Sequence, residues 1–95
     1  MDASFDGEVS YWRGPSPWHF LTVPPEICES LAVTSTLVSY GWGMIPVSAR
    51  IGRTRWTTSL FPKDGKYLVP VKTSVRTAEG IELGDTVTVH LHVDG

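Results

Sequence analysis

The stretch RTRWTTSLFPKDGKYLVPVK, residues 53–72, decides how the chain is read. RWTTSLF at 55–61 and YLVPV at 67–71 are rich in β-branched and aromatic residues, which suit a pleated, half-buried surface. Between them stands Asp64-Gly65, a dipeptide that tolerates the positive φ angles of a tight hairpin turn. The stretch predicts a hairpin, with Pro70 marking an edge or a strand end because proline cannot donate to a ladder. With a side-chain period of two, Arg55, Thr57, Ser59 and Phe61 share one face, and Trp56, Thr58 and Leu60 the other. Trp56 is therefore expected to face inward with Leu60. The stretch also carries Arg53, Arg55, Lys63, Lys66 and Lys72, five of the eight basic residues in the chain. These form either a site that holds something or the wet face of a hairpin.

Outward from this hairpin the pattern stays mainly β. PVSARI at 46–51 alternates Val47, Ala49 and Ile51 against polar neighbours, and TVTVHLHV at 86–93 alternates Val87, Val89, Leu91 and Val93 against Thr and His. SFDGEVSYW at 4–12 and WHFLTV at 18–23 predict a hairpin across the turn RGPSP, with Gly7 a possible bulge. PPEICESLAV predicts a short helix over residues 25–32. Pro25 suits its first turn, Glu26 and Glu29 the positive end of its dipole, and Ile27 and Leu31 one face. Leu37 and Val38 suggest a further strand, and Gly41-Trp42-Gly43 a tight bend. KTSVRTAEG at 72–80 predicts a second short helix closed by Gly80. HFLTVPPEICESLAV and KYLVPVKTSVRTAEG echo each other, which predicts two similar units of about residues 4–42 and 43–93. The fold class is mainly β: a small split β-barrel with one or two short helices and an internal pseudo-two-fold.

Ninety-five residues make a single domain, 1–95, with one modest core. No apolar run reaches the length of a membrane helix. The acidic opening MDASFDGEVS lacks the apolar centre of a secretory signal, so a cytoplasmic location is the expectation. Cys28 is the only cysteine; it excludes an intrachain disulfide and is expected as a small buried hydrophobe. The net charge of −2 speaks against a general polyanion binder, but the charge is segregated. Arg50, Arg53, Arg55, Lys63, Lys66, Lys72 and Arg76 lie within residues 50–76 against the single acid Asp64.

The blocks WHFLTVPPEI, GWGMIPVSARIG and WTTSLFPKDGKYLVPVKTSVRTAEGIELGDTVTVHLHVD resemble the bacterial family DUF1905 over nearly the whole chain. The resemblance rests most on Trp56, Ser59-Leu60-Phe61-Pro62-Lys63, Tyr67, Pro70-Val71-Lys72, Arg76 and Gly84-Asp85. It implies a split β-barrel akin to the AbrB/MazE-type swapped-hairpin fold, in which two short units pair within one chain or between two. The phrase IELGDTVTV is similar to the ending of those regulators. Family members are often fused to a second domain, and the standalone form is expected here. No established activity comes with the resemblance.

The candidate ligand-binding residues are therefore Trp56, Ser59, Lys63, Tyr67, Lys72 and Arg76. If the ends that carry Lys63, Lys72 and Arg76 converge near Ser59 and Tyr67, they can grip a carboxylate or phosphate, Arg76 in bidentate fashion. The bland alternative pairs Arg76 with Asp85 or a strand-end carbonyl and leaves the lysines solvated. Seven clustered bases with Trp56 and Tyr67 also suit a groove that tracks phosphates and stacks bases. His90, His92 and Asp94 share one strand face, a pattern that is more often a polar exterior than a metal site. Trp12, Trp18 and Trp42 are expected mostly in the core. No nucleophile elbow, phosphate loop or paired acids stand out, so no catalytic residue, metal or cofactor is expected. The leading expectation is a non-enzymatic module for a small anionic or aromatic ligand. The alternatives are a DNA-associated transcriptional regulator, by analogy of fold, and a partner-binding or structural module without a ligand. The chain is expected as a monomer or homodimer.

Overall fold

A computed structural model of the chain describes residues 1–14, 18–38 and 43–93, with main chain only for 32–38. The elements in order are β1 (Asp2–Glu8), β2 (Ser10–Trp12), β3 (Trp18–Thr22), α1 (Pro25–Val38), β4 (Ile45–Ile51), β5 (Thr54–Lys63), β6 (Lys66–Val71), α2 (Thr73–Glu79) and β7 (Thr86–His92). The seven strands form one antiparallel sheet in the order β1-β7-β4-β5-β6-β3-β2. The sheet curls into a half-barrel, and its two outermost strands are joined in sequence by Val9 alone. The Gly84-Asp85 turn pins that joint: Val9 N–H donates to Asp85 O at 2.8 Å, and Gly84 N–H to Val9 O at 2.9 Å. Gly84 sits at φ 90°, where a side chain would be strained.

The core lies inside the curl. Val9, Leu21, Val23, Leu31, Ile45, Leu60, Val69, Val75, Val89 and Val93 are almost wholly buried. Each fully buried aliphatic side chain contributes about 1.5–3 kcal/mol over an exposed one. The period-two expectation holds along β5: Trp56 and Leu60 are buried, and Phe61 is 42 % exposed. The hairpin turn is formed as expected, with positive φ at both Asp64 and Gly65. At Pro70, β6 has passed its last pair with β5, Phe61 opposite Leu68, so no ladder bond to β5 is lost there. Helix α2 ends where expected, at Gly80 in the left-handed region (φ 63°, ψ 36°).

Four expectations are corrected. Helix α1 runs on to Val38, beyond residue 32, and takes in the Leu37–Val38 strand. Its Thr, Ser and Val residues disfavour helix by only a few tenths of a kcal/mol each, too little to end it, and α1 as a whole packs against β4 and β6. Residues 4–12 do not form one strand paired with β3. β1 pairs with β7, and only β2 crosses to β3. Gly7 is not a bulge: it stands in regular register opposite Val87, and Leu21 packs against it. Trp12 and Trp18 are half-buried and outside the core, and of the tryptophans only Trp56 is a core residue among the described residues. Trp42 lies outside the described residues.

The pseudo-two-fold is present with a different boundary. One ββαβ unit is β1 with β2, β3, α1 and β4; the other is β5, β6, α2 and β7. The strand pairing repeats under the exchange. Phe5 opposite Val89 has its counterpart in Trp56 opposite Ala49, and Tyr11 opposite His19 in Pro62 opposite Tyr67. Leu21 and Val69 face each other across the axis, as do the pairs Ala49–Leu91 and Ile51–Val89. Strand β4 thus belongs to the first unit. The two Val-Pro dipeptides are not equivalent positions: Pro24 corresponds to Lys72, since Ile27 and Cys28 bond to Pro24 O as Val75 and Arg76 bond to Lys72 O. Both units come from one chain, so the sheet is complete without exchange of strands.

Candidate functional site

The bases of residues 50–76 do not gather in one place. Arg50 and Arg55 stand opposite each other on β4 and β5, with His90 beyond Arg50 on β7. Arg53 and Lys66 are exposed at turns. The Lys63 ammonium lies over the Trp12 ring, 3.6 Å from its centre, a cation–π contact. Strand twist brings these distant corners of β5 and β2 together. Nearby, Trp18 packs on Phe20 and edge-on against Phe61. Lys72 and Arg76 meet in a cavity of their own.

That cavity, of about 320 Å³, lies where β2, β3 and β6 end and α2 begins, and is lined by Tyr11, Trp18, His19, Pro70, Val71, Lys72, Thr73 and Arg76. The strand registers assemble it. Tyr11 stands opposite His19, and His19 opposite Val71, one residue before Lys72. The Tyr11 and His19 rings pack edge-on at 4.7 Å. Val71 is buried on the core side, which turns the exposed Lys72 outward. Within α2, Val75 is buried and its neighbour Arg76 looks into the cavity. Arg76 Nη2 donates to Thr73 Oγ1 at 3.3 Å. Arg76 Nε is buried without a hydrogen-bond partner. An orphaned polar group of this kind costs about 1–3 kcal/mol, more for a charged one, so its retention asks for an explanation.

The electrostatics of the cavity are positive. Among the described lining residues there are two cations, a histidine and no carboxylate. Partial burial, and then the Arg76 guanidinium, hold the His19 imidazole below its ordinary pKa. Arg76 does not pair with Asp85, whose carboxylate instead caps its own turn by accepting from Glu82 N–H at 2.8 Å.

The six candidates are therefore divided. Lys72 and Arg76 line the cavity. Trp56 is buried, and its indole donates to Pro70 O at 3.1 Å. Tyr67 packs against the core from β6, and Ser59 is half-buried on β5. Lys63 sits on Trp12. Tyr11, Trp18, His19 and Thr73 were not singled out as site residues. The only local signal for them was the aromatic content of YW and WHF, and their meeting with α2 depends on the β3–β6 register. His92 Nδ1 lies 2.6 Å from Asp2 Oδ1, an exposed pair whose hydrogen bond holds Asp2 below the usual carboxylate pKa. Asp94 lies outside the described residues, and no group of three metal-ligating side chains occurs among the described ones. No described helix is long and apolar enough to cross a membrane.

Compared with known proteins, the chain matches no curated protein. It does match the DUF1905 family, described as a domain of unknown function, over residues 5–91. That span runs from Phe5 on β1 to Leu91 on β7 and so takes in part of every strand of the curled sheet and both helices. The chain belongs to the DUF1905 family.

Proposed function

We propose that this domain is a non-enzymatic binding module whose cavity at the start of α2 takes a small anionic ligand with a planar or aromatic part. The observation that carries the reading is Arg76, which lines a cavity with no carboxylate among its described lining residues and has its buried Nε unpartnered. A carboxylate or phosphate there would accept from Arg76, Thr73 and Lys72, in charge-assisted bonds about twice as strong as neutral ones. Tyr11, Trp18 and His19 supply ring surfaces against which a planar group can pack. The volume of about 320 Å³ suits a small metabolite.

The test is a thermal-shift screen with aromatic carboxylates, phosphosugars, nucleotides and short DNA at low and moderate salt. A ligand at ten times its Kd adds about 1.4 kcal/mol, a shift of several degrees for a domain of this size. The expected result is a saturable shift that disappears in Arg76→Ala and weakens in Lys72→Ala, with folding intact in both. If both variants unfold, the two residues are structural and the cavity is not a site. A shift with DNA alone that vanishes with salt would replace this reading by a DNA-associated regulator. Silence throughout would leave a partner-binding module.

A further inference from the structure

A second cavity, of about 370 Å³, lies on the outer face of the other half of the sheet, across β1, β7, β4 and β5. Ser4 stands opposite His90, His90 opposite Arg50, and Arg50 opposite Arg55, so one row of side chains crosses four strands. Asp2, His92 and Ser48 form the adjoining row. All of these line the cavity. Directly opposed side chains on antiparallel neighbours have Cβ atoms about 4.5–5.5 Å apart, and like charges at that spacing are destabilising. Arg50 opposite Arg55 is such a pair, and no carboxylate stands in its row. Among the described lining residues the one carboxylate is Asp2, whose Oδ1 is held by His92. Arg50 spends Nη1 on Gly52 O at 2.7 Å and keeps its other donors. Arg55 makes no hydrogen bond or ion pair among the described residues. A row of this kind is unfavourable by itself and becomes favourable when an anion lies between the two guanidinium forks.

We propose that this cavity is a second anion site, separate from the Arg76 cavity, and that it takes a small phosphorylated molecule bearing hydroxyl groups. Arg50, Arg55 and His90 hold the phosphoryl group. Ser4, Ser48 and Asp2 face the hydroxyls, Asp2 through its Oδ2 as an acceptor that free phosphate does not use. Sugar phosphates and nucleoside monophosphates share this chemistry, and the titration separates them.

The experiment is a titration of the ¹⁵N-labelled chain with inorganic phosphate, ribose 5-phosphate and adenosine monophosphate, read by amide chemical shifts. The expected result is saturable shifts at residues 2–4, 48–55 and 89–92, with ribose 5-phosphate tighter than phosphate. Tighter binding of adenosine monophosphate than of ribose 5-phosphate assigns the site to nucleotides, and the reverse order to sugar phosphates. Arg55→Glu weakens binding at least about tenfold, the loss of one charge-assisted contact, and raises the melting temperature of the free protein. Arg50→Gln weakens binding in the same direction. Absence of shifts at millimolar ligand, shifts centred on residues 72–76, or an affinity indifferent to both arginine variants overturns the proposal.

Discussion

At the start of α2, the carbonyl of Lys72 accepts hydrogen bonds from Val75 and Arg76; at the start of α1, the carbonyl of Pro24 accepts them from Ile27 and Cys28. The two places are related by the pseudo-two-fold and have the same backbone plan. Their side chains differ at nearly every position. Where α2 offers Lys72, Thr73 and Arg76, α1 offers Pro24, Pro25 and Cys28. Where the first faces Tyr11 and His19, the second faces Pro62 and Tyr67. Prolines carry no N–H to donate, and Cys28 Sγ turns to Val23 O at 3.4 Å. One entrance carries two cations beside Tyr11 and His19, and the other carries none. The symmetry is held by what is buried, Phe5 with Trp56, Leu21 with Val69, Ala49 with Val89, and not by what is exposed. The fold thus supplies two equivalent frames with different side chains, and the proposed binding rests on one of them.

The largest expected effect tests the shared core. Leu21→Ala removes a wholly buried side chain and costs about 2–5 kcal/mol. Its mate Val69→Ala loses fewer methyl groups and costs somewhat less, both read by urea denaturation. A neutral Val69→Ala would break the equivalence of the two halves. The next effect removes the difference between the entrances. Lys72 already has φ −66°, the angle proline imposes, so Lys72→Pro with Arg76→Cys copies the α1 arrangement onto α2. Stability stays within about 1 kcal/mol, because an orphaned buried donor goes as well, while anion binding at this cavity falls more than tenfold by calorimetry. Retained binding would mean that the equipment of the α2 entrance is not what holds the ligand.

On the outer face, Arg55→Glu replaces a like-charge cross-strand pair by an opposite one and stabilises the free protein by about 0.2–1 kcal/mol, measured by denaturation at low salt. Unchanged or reduced stability would show that the Arg50–Arg55 row carries no strain. The smallest effect is the pH response of His19. Its folded pKa is lowered, so the unfolded chain binds the proton more readily. The stability His19 contributes is present above the ordinary imidazole value and fades as pH falls through the lowered folded value. Anion binding runs the other way and tightens as pH falls, since protonated His19 favours the ligand. His19→Gln should flatten both profiles. If it leaves the affinity profile unchanged, the imidazole does not face the ligand.

Much of the fold was legible because it rests on local chemistry. Alternation in TVTVHLHV and RWTTSLF, Asp64-Gly65 at the hairpin and Gly80 after α2 each act within a few residues. The Val-Pro echo pointed to the right elements with the wrong alignment, since equivalence follows hydrogen-bond register and not dipeptide identity. The length of α1 escaped because the Thr, Ser and Val residues of its second half have weak intrinsic helix preference. The site was half legible. Lys72 and Arg76 stood out as bases beside a predicted helix, while Tyr11, Trp18 and His19 carried no mark that tied them to it.

Sequence alone determined most of the strands, the Asp64-Gly65 turn, the modest core and the presence of seven bases in 27 consecutive residues. Only the tertiary structure decided which of those bases would meet. Lys63 went to Trp12, Arg50 and Arg55 to a row with His90, and Lys72 and Arg76 to a cavity with His19. The reason is physical. Period and turn chemistry act over two to four residues, whereas the registers of β3 on β6 and of β4 on β7 join positions about 40–50 residues apart and are set by the fit of the buried faces.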